Sequence, residues 1–496
     1  MRLFFALSAL LAVVSSGHAA EKNRYNVLFI AIDDLRPELA CYGSKMAQSP
    51  CLDAFAGTAL QFNRQYVAVP TCGASRFALL TGRWPISSGI TNGNQSAYQG
   101  KAALNPELQP GAQTMPEMFR RSGYKTVCIG KISHTADGRV YAYNGEGDGR
   151  DELPHAWDSL ATPLGPWKRG WGVFFAYEGG RHREDGQGHE DLMEFVVEKD
   201  TDLPDGLMAD ASIAQLQEFA KSGERFFMGL GFFKPHLPFV ALQSDWDALE
   251  EAYQRGDFHL PGKASDKPDT DYWHKSGEFY RYAFPFTKEQ PLARDAAALA
   301  RRGYAACVRY SDRQVGKVLD ALDASGLAEN TIVVVWGDHG WHLGEQQIWG
   351  KHSPLERALR SVCMIRVPGM ATAGQETNAL VESTDLYPTL RDLCVPGFSE
   401  TAFPLNGTSL VPLLDGSAES VRDVAVSHWG NAVSIRSDRH RLVYRVKQGE
   451  IANVELFDLT RGADAEHEAN PDPEVVARLT DGFDARARTA GSAEKR

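Results

Sequence analysis

Thr71-Cys72-Gly73-Ala74-Ser75-Arg76, running on through Phe77-Ala-Leu-Leu-Thr-Gly-Arg83, is the most specific segment of this chain. It reads as a loop turning into a helix, with Cys72 in the first turn. A helix N-terminus carries partial positive charge and free amide donors, which lower a thiol pKa and attract anions. A Cys–His hydrolase is therefore one reading of Cys72, and a plain loop–helix junction is another. Asp33-Asp34 ends one apolar run and Asp338-His339 ends a second. Adjacent acids can simply cap a turn, but two acidic strand ends brought together make a site for a hard cation. Carboxylate oxygens suit Ca²⁺ or Mg²⁺, and flexible many-oxygen coordination favours calcium. Lysine and histidine recur together as Lys131 with His134, Lys234 with His236, and Lys351 with His352. Alone, such pairs are commonly solvated surface groups, and His236 can equally be a loop residue ordered by Pro235 and Pro238. Gathered at one site they supply acid–base chemistry, because unperturbed histidine titrates at ~6.5.

The elements that must position these residues are legible as apolar runs. Asn26 to Ile32, Lys125 to Gly130, Phe226 to Phe233, Thr331 to Trp336 and Val362 to Val367 read as buried strands. Helical patterns span Gln113 to Gly123 and Asp295 to Ser325. Alternating helices and buried strands predict an α/β sheet, mostly parallel and sandwiched by helices. Ligands of such sheets bind beyond the carboxyl ends of the strands. Asp33-Asp34, Lys131/His134, Lys234/His236 and Asp338-His339 all fall at such ends, which predicts a common site. After about residue 395 short strand-like runs (423–428, 432–436, 441–446, 454–459) and a polar helical tail predict a smaller antiparallel sheet plus helix. The expected division is a catalytic domain over 20–395 and a small α+β subdomain over 396–496. Residues 140–210 and 243–290, rich in Gly, Pro, Trp and charge, read as long loops.

Cys72-Gly-Ala74-Ser-Arg76 with Leu80-Thr-Gly-Arg83 resembles the element by which type I sulfatases specify conversion of cysteine to Cα-formylglycine. Ala74 stands where the commoner form has proline. The resemblance covers nearly all of the chain after its first twenty residues, and it implies an alkaline-phosphatase-like fold. It also implies that Asp33, Asp34, modified Cys72, Asp338 and His339 hold one calcium ion. His339 stands where many relatives have an amide, and Gly-Asp-His-Gly-Trp341 resembles the iduronate-2-sulfatase branch in particular. By the same resemblance Lys131 contacts the sulfate, His134 deprotonates the formylglycine diol, Arg76 holds that diol, and His236 with Lys351 serves the leaving oxygen. Leu456-Phe-Asp-Leu-Thr and Glu466-His-Glu-Ala-Asn470 resemble the closing strand and turn of sulfatase C-terminal subdomains. Chemically, a hydrated aldehyde supplies two geminal hydroxyls: one attacks sulfur, and deprotonation of the other expels sulfate. Serine there would stall as a stable sulfate ester.

The implied substrate is a sulfated carbohydrate of the iduronate 2-sulfate type, and the implied partner is a formylglycine-generating maturation enzyme. Trp341 and the loops at Trp167–Trp171 and Arg181–Arg183 are candidates to stack on sugar rings and hold uronate carboxylates, or to pack within the protein. A phosphomonoester or phosphodiester hydrolase on the same scaffold, and an exported glycan-binding protein with a dead metal site, are the alternatives. The net charge of −12 over 496 residues argues against nucleic acid. The site must then carry its own cations. Residues 1–19, a basic start with a short apolar run and small residues, read as a secretory signal peptide; no later segment is apolar enough to span a membrane. A periplasmic or secreted bacterial protein is expected, with a lysosome-like compartment the other option. Seven cysteines, an odd number, flag one thiol with a separate fate.

Overall fold

Strand β1 (Asn26–Ile32) is buried along its whole length and pairs in parallel on both sides. Its apolar residues divide between two cores by the two-residue period of a strand. Leu28, Ile30 and Ile32 face one core and Val27, Phe29 and Ala31 the other. The structure is a computed structural model that describes residues 25–94, 96–99, 104–142, 147–260, 278–282, 292–448, 450–465 and 467–494. The expected signal peptide lies outside them.

The main sheet has nine strands. Besides β1 they are β2 (Leu60–Tyr66), β3 (Lys125–Gly130), β4 (Ser159–Leu160), β5 (Phe226–Phe232), β6 (Thr331–Gly337), β7 (Arg360–Ser361), β8 (Cys363–Arg366) and β9 (Glu376–Glu382). Their order is β7-β2-β8-β6-β1-β5-β3-β4, with β9 on the other side of β2. The run β6-β1-β5-β3-β4 is parallel. β8 runs antiparallel between β6 and β2, so the sheet is mostly parallel but mixed. Helix α1 (Cys72–Thr81), α2 (Met115–Arg121) and α4 (Leu386–Cys394) cover one face through Phe77, Leu80, Met118 and Leu390. The long α3 (Arg294–Ala324) covers the other through Tyr304, Val308, Val315 and Val318.

Two segments expected as loops hold regular structure. Met193–Val197 pairs in parallel with Phe239–Leu242, and a helix starts at Pro204 and runs to Ser222. Short helices occupy Gln243–Asp247 and Glu250–Gln254, while 261–277 and 283–291 lie outside the described residues.

Beyond α4 the four strands β10 (Ala425–Trp429), β11 (Ala432–Arg436), β12 (His440–Lys447) and β13 (Glu450–Asp458) form an antiparallel meander. Val426, Ile435, Leu442 and Leu456 share a core with Leu479 of helix α5 (Pro473–Glu494). This sheet is tied to the main one where the His428 amide donates to the Ala68 carbonyl at 2.8 Å and Ser427 Oγ to the Val67 carbonyl at 2.7 Å. No helix of the described residues is long and apolar enough to cross a membrane.

Candidate functional site

The site begins where β1 ends. A continuing strand would send Asp33 and Asp34 to opposite faces. Asp34 instead takes a left-handed φ of 60°, and the two carboxylates converge. Its amide donates to Asp338 Oδ1 at 2.9 Å and its carbonyl accepts from Tyr304 at 2.9 Å, bonds that hold the uncommon conformation.

Helix α1 starts at Cys72 and is buried throughout. Its first turn leans on Asn94, whose Oδ1 accepts from the Gly73 amide at 2.7 Å and from Thr71 at 3.0 Å. A Cβ on Gly73 would lie 2.8 Å from the Asn94 backbone, so the close approach requires glycine. One turn on, fully buried Arg76 donates to Asp338 Oδ2 at 2.9 Å, to Asp33 Oδ1 at 3.2 Å and to the Lys131 carbonyl. Lys131 meets Asp33 Oδ2 at 2.7 Å and rides over the Phe174 ring.

Cys72 Sγ lies 3.2 Å from His339 Nε2 and 4.0 Å from Asp34 Oδ1. Burial and the Asp33 carboxylate push the Cys72 thiol up to about 12, so it is protonated at neutral pH. Ligand atoms of Asp33, Asp34, Cys72 and His339 all lie within 4.8 Å of one another. Asp338 adjoins them but spends its oxygens on Arg76 and the Asp34 amide.

These residues fit a divalent cation. His339 Nδ1 lies 2.9 Å from the Gly340 carbonyl, which leaves Nε2 facing the cluster, 3.3 Å from Asp34 Oδ1. Imidazole nitrogen, sulfur and carboxylate oxygens converging in a buried setting suit a cation. Burial also pushes Asp34 well above and Asp338 above the ordinary carboxylate value, while Lys131, His236 and Arg76 outweigh burial and hold Asp33 well below it.

His134 packs against Tyr98 and Trp171, and neither ring nitrogen has a hydrogen-bond partner among the described residues. Burial and Lys131 push its pKa well below 6.5. Its backbone is held by buried Glu152, which accepts from the amides of His134 and Thr135, each at 2.8 Å. His236 sits against Phe174 with Nδ1 on the Leu237 carbonyl at 2.6 Å. Lys351 meets Asp34 Oδ1 at 3.1 Å.

Several of these residues take the packing alternative. Trp341 is 1% exposed and its ring lies under Lys351, 5.1 Å from Nζ. Trp167 and Trp171 are likewise buried, and Arg183 packs over Phe175. Lys234, at a strand end, turns instead to the carbonyls of His236 and Pro238.

Glu278 was not anticipated. It lies 2.7 Å from His236 and 3.0 Å from Lys351. Nothing local distinguishes it within a charged segment read as loop. A cavity of 1290 Å³ lined by Arg64, Glu376, Arg422 and His440 contains none of these groups.

A mostly parallel sheet with a buried acid cluster at its strand ends, ringed by Arg76, Lys131 and Lys351, defines a hydrolase-type centre for a divalent cation beside an anion. The sulfatase family model matches residues 25–394, and the chain belongs to the sulfatase family. Members of that family hydrolyse sulfuric esters and normally use formylglycine with a divalent metal. Iduronate 2-sulfatase from Mus musculus is 30% identical over 404 residues, 74% of this chain and 68% of that protein. A sulfatase from Formosa agariphila is 30% identical over 475 residues, 88% of this chain and 81% of its own. In fold, the chain resembles a phosphonate monoester hydrolase from Silicibacter pomeroyi with a TM-score of 0.70 and 22% identity, covering 95% of this chain and 96% of that one.

Proposed function

We propose that this protein hydrolyses sulfate esters of a carbohydrate, with an iduronate 2-sulfate-type uronic acid as the favoured substrate and residue 72 acting as formylglycine. The observation that carries this reading is the convergence of Asp33, Asp34, Cys72 and His339, within 4.8 Å, beside three buried cations. The pattern Cys72-Gly-Ala74-Ser-Arg76 with Leu80-Thr-Gly-Arg83 favours Cys72 as a precursor over a Cys–His hydrolase. The likeness to iduronate 2-sulfatase supports the substrate class.

Calcium, the favoured ion, would neutralise the acids and polarise a sulfate oxygen when bound by Asp33, Asp34, residue 72, Asp338 and His339. Lys131 and Lys351 offset the substrate's charge, and Arg76 holds residue 72 against the acids. His134, kept neutral by burial beside Lys131, accepts a proton from a hydroxyl of residue 72. His236 and Lys351 serve the departing alcohol oxygen, with the Lys351 ammonium offsetting its charge. Substrate contact falls to Lys131, His236 and Lys351. Export through residues 1–19, maturation by a formylglycine-generating enzyme, and a division into units 20–395 and 396–496 belong to the same proposal.

Mass spectrometry of the Cys72 peptide, with assays on matched sulfate and phosphate esters, tests the reading. Aldehyde at residue 72 and preference for sulfate are expected. An unmodified thiol in active enzyme, or a preference for phosphate by orders of magnitude, would overturn it. Cys72→Ala should abolish turnover while substrate still binds.

A further inference from the structure

Resting on the sulfate-ester reading, in which His134 accepts a proton, we propose that Glu152 is a positioning residue for His134, fixing the ring through its backbone so that its nitrogens are spared for the reaction. Glu152 Oε2 accepts from the His134 amide and from the Thr135 amide, each at 2.8 Å. It reaches them from 18 residues further along the chain, where its own amide donates to the Gly138 carbonyl at 2.8 Å. Glu152 and His134 are each 3% exposed, so the two bonds are made out of water.

A working imidazole is ordinarily oriented by a hydrogen bond on the nitrogen that does not react. His339 and His236 follow that pattern, with Nδ1 beside the Gly340 and Leu237 carbonyls. His134 does not: neither ring nitrogen has a partner among the described residues. Its ring is set by packing, edge-on to Trp171 at 5.0 Å and parallel to Tyr98 at 6.4 Å, and by where the backbone places its Cβ. Glu152 fixes that backbone just past the end of β3. Burial pushes Glu152 up to about 7, and the bonds hold in either form, because a protonated acid keeps a carbonyl oxygen for the two amides.

The placement has a signature. In the step it serves, a proton leaves a hydroxyl of residue 72 for a ring nitrogen of His134, and the electron pair of that O–H bond stays on the oxygen. Displacing a reacting group by about 1 Å costs about 100-fold in rate. That loss passes through His134 alone, so removing Glu152 matters only while His134 is there to be positioned. A merely structural role, which disturbs the site as a whole, adds its loss to that of a second substitution.

The experiment compares kcat and KM of wild type, Glu152→Ala, His134→Gln and the double variant on 4-nitrophenyl sulfate, whose ready leaving group leaves the His134 step to limit turnover. E152A is expected to lower kcat by about 100-fold with KM within about threefold of wild type. The double variant should match H134Q to within about threefold. Should E152A fail to fold, Glu152→Asp, whose shorter stem draws the acceptor away from the two amides, takes its place with the same expectations. Losses that add in the double variant, or an unchanged kcat, overturn the positioning role and leave the sulfatase reading intact. The His134 Cε1–H proton resonance, assigned by its absence in H134Q and shifted by the Tyr98 and Trp171 rings, needs no turnover. In protein still carrying Cys72 it should move when Glu152 is replaced, and an unmoved resonance also overturns the role. An H134Q as fast as wild type overturns the assignment of His134 and the role with it. A wild type inert on every sulfate ester overturns the sulfatase reading, and the resonance then decides on Glu152.

Discussion

Glu356→Gln tests how the C-terminal sheet supports the site. Glu356 Oε2 meets Arg441 at 2.6 Å and Arg436 at 3.5 Å, and Oε1 accepts from Tyr66 at 2.9 Å. Arg441 also donates to Ser434 Oγ at 2.6 Å, and Ser434 donates to the Pro354 carbonyl at 2.9 Å, close behind Lys351. Burial would raise the Glu356 pKa, but Arg441 and Arg436 outweigh it and hold it at about 2 against an ordinary 4.5. That difference, 4.5 minus 2 at about 1.4 kcal/mol per unit, corresponds to about 3 kcal/mol. A depressed carboxylate contributes this stability fully above its unfolded pKa, and loses it as pH falls from 4.5 towards 2. Glutamine keeps an acceptor for Tyr66 but points an amide NH₂ at guanidiniums, in line with the cost of about 3–5 kcal/mol for breaking a buried pair. At about 2 cal/mol/K per residue of unfolding entropy, the expected drop in Tm is about 3 °C. Thermal melts of wild type and E356Q should show that gap at neutral pH, narrowed by more than half at about pH 3. Equal Tm values at neutral pH, or a gap that does not narrow in acid, would refute the reasoning.

Chelation with EDTA should lower Tm and abolish turnover, and calcium should restore both better than magnesium; ion at about 100 times its Kd contributes about 2.7 kcal/mol. An unchanged Tm after exhaustive chelation would count against the acid cluster as a cation site. For His134, burial and Lys131 favour the neutral ring, so its base form persists as pH falls through 6.5. The acidic limb of the pH–rate profile should lie below 6.5, and His134→Gln should lower kcat by about 10²–10⁴. A limb centred above 6.5 would remove His134 from the proton-accepting role.

The parts legible in sequence are those whose determinants are local. The apolar run of β1 is buried on both faces, and its last residue is followed at once by Asp33-Asp34, so strand and acids could be read together. β3 and β6 announce Lys131 and Asp338 in the same way. The small-residue start of α1 places Cys72 and Arg76 one turn apart. β2 and β9 were harder to see. β2 alternates with polar Gln61, Asn63 and Gln65, and β9 is apolar only from Ala379 to Val381, so neither stands out as a buried strand. The antiparallel course of β8 likewise depends on its partners β6 and β2 rather than on its own residues.

The sequence by itself singled out the Cys72 segment, the acids, the lysine–histidine candidates, and the strand ends that carry most of them. Tertiary structure alone decided which side chains turn inward together. It placed Trp341 beneath Lys351, turned Lys234 to backbone carbonyls, and brought Glu278 between His236 and Lys351. The reason is range. Strand and helix periodicity is set by neighbours a few residues apart, whereas the Glu278 contacts join residues 42 and 73 positions apart (278 − 236 and 351 − 278) and exist only once the sheet has brought those segments together.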